Sequence, residues 1–171
     1  VRYGLSSKEF TPAMAAAVFT EAATPEPMRQ SVVGIVDDIS KTSLEVPMDF
    51  PADGSRVRAV FFGLGSDGTV GANKNSATIV GEATDLNVQA YFVYDSKKSG
   101  SVTVSHLRFD EAPITSTYLI SEATFVGVHQ WGLMERLNVL GVAGHGARIL
   151  LNSPHPAEEV DRPVLRVGRQ E

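Results

Sequence analysis

Short apolar runs, each cut off by glycine or by charge, punctuate this chain. Residues 32–36 read VVGIV and stop at Asp37-Asp38. Residues 57–62 read VRAVFF and stop in a cluster of glycines, and residues 88–94 read VQAYFVY and stop at Asp95. Apolar runs of this length between turn residues predict buried strands. Residues 102–107, VTVSHL, alternate with period two, which predicts a strand with one face exposed. Further strands are expected at 118–120, 125–129 and 147–152. Thr11-Pro12 reads as the N-cap and first position of a helix over 13–23, with Met14 and Phe19 on its buried stripe. Thr24-Pro25-Glu26-Pro27 ends it. A second helix is expected over 71–83, with Asn73, Lys74 and Asn75 in its first turn and Ile79, Val80 and Ala83 apolar. A third, over 131–139, carries Leu133 and Leu137, with Leu140 just beyond. Residues 40–56, with Pro47, Pro51 and Asp53-Gly54, read as loop and turns.

Strands alternating with helices, interrupted by a hairpin-like element at 88–107, predict an α/β fold with a mixed sheet covered by helices. One domain is expected over 1–152, followed by a polar tail, 153–171, that the prolines Pro154, Pro156 and Pro163 should leave poorly ordered. The 171 residues suffice for a single sizeable core, and 43% hydrophobic with 20% charged residues is a globular balance. A net charge of -5 argues against a general nucleic-acid or anionic-membrane surface. No apolar run approaches the ~18 residues of a membrane span. The opening VRYGLSSKEF lacks the apolar stretch of a secretory signal, so a cytoplasmic setting is expected. The chain has no Cys, which excludes thiolate nucleophiles, disulfides and iron–sulfur ligation by these residues.

The candidate chemistry lies where the 57–62 strand ends. Gly63-Leu64-Gly65-Ser66-Asp67-Gly68 fits G-x-G-x-x-G, and a helix follows. Bare backbone N–H groups and the positive end of a helix suit a phosphate or pyrophosphate. The candidate binding residues are Gly65, Ser66, Asp67, Gly68, Thr69, Val70 and Asn73. The fingerprint also expects an acidic residue about 20 positions on; Asp95 lies further away. A tight strand-to-helix connection that needs glycine for positive φ explains the same residues, so both readings stand. The turn Asp95-Ser96-Lys97-Lys98-Ser99-Gly100 closes another strand at the edge where α/β sheets bind ligands, and Lys97 and Lys98 are candidate phosphate partners there. A solvated turn is the plainer alternative. His106, His129, His145 and His155 show no metal-ligand spacing, His129 reads as a packed strand-end histidine, and no nucleophile-elbow serine is present. No catalytic residue and no metal ligand are assigned.

Longer strings extend the pattern. GLGSDGTVGANKNS at 63–76, YFVYDSKKSGSVTVSHLRF at 91–109 and PITSTYLI at 113–120 resemble the γ domain of pyruvate:ferredoxin (flavodoxin) oxidoreductase, in the 2-oxoacid:acceptor oxidoreductase family. VRYGLSSKEFTPAM at 1–14 is similar to the entry into that domain, and GIVDDISKTSL at 34–44 to its G-x-x-D-D-hydroxyl segment. TFVGVHQWGLMERLNVL follows its counterpart only loosely, and the tail loses the pattern. The resemblance implies a curled mixed sheet and a share in oxidative decarboxylation of pyruvate to acetyl-CoA. It implies coenzyme A (CoA) as co-substrate, gripped by this domain. Thiamine diphosphate and 4Fe–4S clusters would sit in partner domains or subunits, and ferredoxin or flavodoxin would accept electrons from the whole enzyme. The chain alone would then be inactive. The rival readings are a stand-alone nucleotide-binding or regulatory module of the same fold, and a nicotinamide or flavin domain suggested by the glycine pattern alone.

Overall fold

Why β-branched and aromatic residues at 57–64 become a central strand is clear from what flanks them. In the computed structural model β3 (Val57–Leu64) has β5 (Val102–Asp110) on one side and β6 (Ala123–Val128) on the other. The structure describes residues 2–3 (backbone only), 9–36, 39–47, 50, 54–95, 100–156 and 159–160. Two compact units emerge, Val1–Ala52 and Asp53–Glu171.

In the first unit β1 (Arg2–Tyr3) pairs in parallel with β2 (Val32–Val33). Helix α1 (Pro12–Ala22) starts as expected, with Thr11 Oγ1 accepting the Met14 N–H at 3.3 Å. Its buried residue is Ala17, whereas Phe19, expected inside, is 76% exposed. The strand expected over 32–36 lasts two residues, because Gly34 turns the chain at φ 73°. Asp37 and Asp38 lie outside the described residues.

The second unit holds a five-stranded sheet in the order β4 (Asn87–Tyr94), β5, β3, β6, β7 (Ala143–Leu151). β4–β5 and β5–β3 are antiparallel, and β3–β6 and β6–β7 are parallel. The sheet is mixed and the fold α/β, and the expected hairpin is the β4–β5 pair. Helix α2 (Thr69–Ala83) lies over β4, β5 and β3 on one face. On the other face Val60, Phe62, Val126 and Val128 meet Ile120, Leu133, Met134 and Val139 in the core. Burying side chains of this size stabilises by roughly 1.5–3 kcal/mol each.

Four expectations are corrected here. β5 is not half exposed: Thr103, Ser105, His106, Leu107 and Arg108 are all buried, because β5 is an inner strand covered on both faces. Residues 118–120 form no strand, because side chains of β5 claim their backbone. Arg108 Nη2 donates to the Tyr118 carbonyl at 2.7 Å, and the Ile120 N–H donates to His106 Nδ1 at 3.2 Å. The helix over 131–139 shrinks to α3 (Leu133–Arg136) and a 3-10 turn (Val139–Val142). Leu137 is extended, and Asn138 Oδ1 caps the next turn by accepting the Gly141 N–H at 3.0 Å. Finally, α2 begins at Thr69 rather than 71, which puts Asn73 in its second turn.

Candidate functional site

The glycine segment connects the C-terminal end of β3 to α2. Gly63 is demanded by contact: a Cβ there would stand 2.4 Å from Thr69 Oγ1, so only a bare backbone lets α2 come this close. Gly68 is demanded by conformation. At φ 86° it is left-handed and caps α2.

Between them Asp67 organises the loop. Its carboxylate accepts the Leu64 N–H at 2.8 Å and the Thr69 N–H at 2.9 Å. Burial pushes this carboxyl's pKa up. The Thr69 hydroxyl, the two N–H groups and nearby His129 outweigh that and hold it below the usual carboxylate range. The Thr69 hydroxyl acts from close by, without the geometry of a full hydrogen bond. The Gly65 N–H donates to the Ser101 carbonyl at 2.9 Å, and the Asp67 N–H to the Leu64 carbonyl at 3.2 Å.

Much of the loop is therefore closed on itself. The N–H groups of Ser66, Gly68, Val70 and Gly71 have no hydrogen-bond partner among the described residues. They sit in the loop and first turn of a 15-residue helix, where partial positive charge collects. Asn73, 4% exposed, leaves its Nδ2 without a partner beneath the same helix. Of the residues singled out in sequence, Gly65, Ser66, Gly68 and Val70 line the loop, Asp67 and Thr69 brace it, and Asn73 is buried behind it.

The Gly65–Ser101 bond ties the glycine loop to the end of the β4–β5 turn. Asp95 and Val102 close that turn, the Asp95 N–H donating to the Val102 carbonyl at 3.0 Å. Lys97 and Lys98 lie outside the described residues. The dinucleotide pattern also fails on topology. β4 follows α2 but is separated from β3 by β5, so β3–α2–β4 does not join neighbouring strands. His129 sits where a strand-end histidine was expected, its N–H donating to the Phe62 carbonyl at 3.0 Å. Among the described residues no three His, Asp or Glu side chains are grouped to hold a metal ion, and no helix is long and apolar enough to cross a membrane.

At the opposite end of β5 lies a buried polar network that the sequence reading missed. Arg108, with no exposed surface, donates to Gln89 Oε1 at 2.9 Å and to the Tyr118 carbonyl, and its guanidinium stands 5.3 Å from the Tyr118 ring centre. Gln89 Nε2 in turn donates to the Ser116 carbonyl at 2.6 Å. Together with His106 these groups fix the PITSTYLI segment without secondary structure. The available signal was a charged residue ending an otherwise strand-like run, which reads equally well as an exposed position.

With this geometry in place, likeness to known proteins is informative. Residues 58–171 match the family model described as "Pyruvate ferredoxin/flavodoxin oxidoreductase". A pyruvate-flavodoxin oxidoreductase from Nostoc sp. is 61% identical over 93% of this chain, and a pyruvate:ferredoxin oxidoreductase from Moorella thermoacetica is 52% identical over 94%. The chain spans only 13% and 14% of those two curated relatives. Among solved structures, pyruvate oxidoreductase subunit PORC from Thermotoga maritima superposes with a TM-score of 0.50 at 18% identity, over 64% of this chain and 56% of that one. That likeness supports the α/β fold. The chain belongs to the pyruvate ferredoxin/flavodoxin oxidoreductase family.

Proposed function

We propose that this chain is the γ component of a pyruvate:ferredoxin/flavodoxin oxidoreductase, and that its glycine loop grips a phosphate of CoA while pyruvate is converted to acetyl-CoA. The carrying observation is the set of open N–H groups on Ser66, Gly68, Val70 and Gly71 at the start of α2, beside the end of the β4–β5 turn. A phosphate oxygen accepts such hydrogen bonds readily. Asp67 sets a condition on this site, because it stays ionised at the same helix end. A phosphate there needs added positive charge, and Lys97 and Lys98 are the residues assigned to supply it. Gly65 and Asn73 complete the candidate set as close backbone and side-chain donor.

Thiamine diphosphate and the 4Fe–4S clusters are assigned to partner domains or subunits, in line with a chain that has no Cys. Ferredoxin or flavodoxin takes the electrons from the whole enzyme, and its setting is cytoplasmic. The chain alone does not catalyse the reaction.

The test is calorimetric titration of the complete enzyme with CoA, dephospho-CoA and NAD. CoA should bind tightest. Lys97→Ala with Lys98→Ala should raise the KM for CoA on the order of ten-fold or more, since one charge-assisted contact contributes roughly 1.5–3 kcal/mol. The effect should shrink at high salt. Tighter binding of NAD, or normal CoA dependence of the double variant at low salt, refutes the assignment.

A further inference from the structure

Among the described residues, five buried side-chain atoms lack a hydrogen-bond partner: Thr69 Oγ1, Asn73 Nδ2, Thr103 Oγ1, Ser105 Oγ and His129 Nε2. Folded proteins satisfy most such groups, because an orphaned one gives up its hydration for nothing in return. That all five gather on one side of the same sheet calls for a physical reason.

Register gathers them. Thr103 pairs with Gly63 and Ser105 with Phe61, and directly opposed residues share a face of the sheet. Thr69 sits over Gly63, so this is the face that α2 covers. Asn73 follows Thr69 by one helical turn. On the other side of β3, Gly127 pairs with Phe61, and His129 lies two residues further along the same face. The His129 N–H continues the ladder to the Phe62 carbonyl, its carbonyl accepts Asn152 Nδ2 at 3.0 Å, and its ring stands 6.1 Å from that of Phe61. The imidazole is thereby held where the glycine loop departs, near Asp67. Thr103, Gly63 and His129 form one row at the base of that loop, with Thr69 above its centre. Thr103 is 1% exposed. The open N–H groups of Ser66, Gly68, Val70 and Gly71 belong to the same loop and the turn after it.

We propose that His129 Nε2 and the Thr103 hydroxyl are further ligands of the anion held at the glycine loop, each donating to a phosphate oxygen. The inference rests on reading this loop as a phosphate site. Backbone N–H groups then hold the anion from the helix side, and these two side chains hold it from the sheet side. Both atoms are enclosed in the free chain, so the loop shifts as the anion enters, and the two groups gain the partner they lack. A hydrogen bond made only in the bound state adds to affinity without adding to the stability of the free fold.

Calorimetric titration of the complete oxidoreductase with CoA and with inorganic pyrophosphate tests the assignment, with thiamine diphosphate present in excess so that pyrophosphate cannot take its place. His129→Phe and Thr103→Val should each weaken binding of both probes on the order of ten-fold, and His129→Gln, whose Nε2 can donate from a similar position, by no more than about three-fold. A residue that merely braces the fold behaves differently, so amide exchange of β5 and α2 is read on the same variants without ligand. Thr103→Val removes an unpartnered hydroxyl with little change of shape, and exchange there should be unchanged or slower. Faster exchange with undiminished affinity overturns the inference, and so does normal affinity of both His129→Phe and Thr103→Val. Should His129→Phe fail to fold, the Thr103→Val result decides. Pyrophosphate binding that depends on His129 and Thr103, in an enzyme whose CoA affinity ignores both, would sink the CoA reading and leave this anion site standing.

Discussion

His106 gives the fold a sensitivity to mild acid. The imidazole is 6% exposed, and its Nδ1 accepts the Ile120 N–H, so the neutral ring carries its proton on Nε2. Burial, with the Arg108 charge adding to it, lowers its pKa from 6.5 to about 4. In the unfolded chain the ring titrates near the ordinary value. Between those two values the unfolded state binds a proton that the folded state refuses, so stability falls as the pH drops. At about 1.36 kcal/mol per unit, the full shift is worth on the order of 3 kcal/mol, and about 2 kcal/mol is lost by pH 5. That is a large part of a typical domain's 5–15 kcal/mol, taken as rough bounds. Asp67 and Asp110 have lowered values, so they lose their stabilising effect only below about pH 4, outside this window. For Asp110 the main cause is the Ala112 N–H, followed by that of Arg56. Urea unfolding at pH 7.5, 6 and 5 should show the wild type weakening, whereas His106→Asn, whose amide oxygen can still accept from Ile120, should stay nearly flat. Equal slopes for the two proteins would refute the reasoning.

Further consequences follow from the same structure. Arg108→Met leaves the Tyr118 carbonyl and Gln89 Oε1 without their charged donor, and should cost about 1–3 kcal/mol for each orphaned acceptor in urea unfolding; a total loss smaller than ~1 kcal/mol would mean that the network is dispensable. The same variant should speed amide exchange at Ile120 more than in β3. Gly68→Val forces a β-branched residue to φ 86° and should destabilise by at least about 1–2 kcal/mol, while Gly68→Asn should be milder, as thermal melts would show. Gly63→Ala should displace α2, because its Cβ meets the Thr69 side chain, and circular dichroism should report a lowered Tm.

The chain's own pattern was enough to place the strand, glycine loop and helix in succession, the β4–β5 hairpin, and the α/β class with a mixed sheet. Those features are local: apolar runs bounded by glycine and proline, a Thr-Pro cap, and glycines where the backbone turns. Family motifs at 63–76, 91–109 and 113–120 carried the kinship. Only the tertiary structure decided which positions are inside. VTVSHL alternates in a way that predicts one exposed face, but β5 took an inner place covered on both faces, and Thr103, Ser105, His106 and Arg108 became buried. Sheet order is a long-range choice that periodicity does not encode, and it also separated β4 from β3 and dissolved the dinucleotide pattern. Likewise, residues 118–120 have strand-forming composition, yet hydrogen bonds from distant side chains outcompeted a ladder. At the glycine loop the sequence supplied donors, and the fold determined which of them stay open. Asp67 closes two of them, accepting from Leu64 three residues back and from Thr69 two residues on, while those of Ser66, Gly68, Val70 and Gly71 stay open.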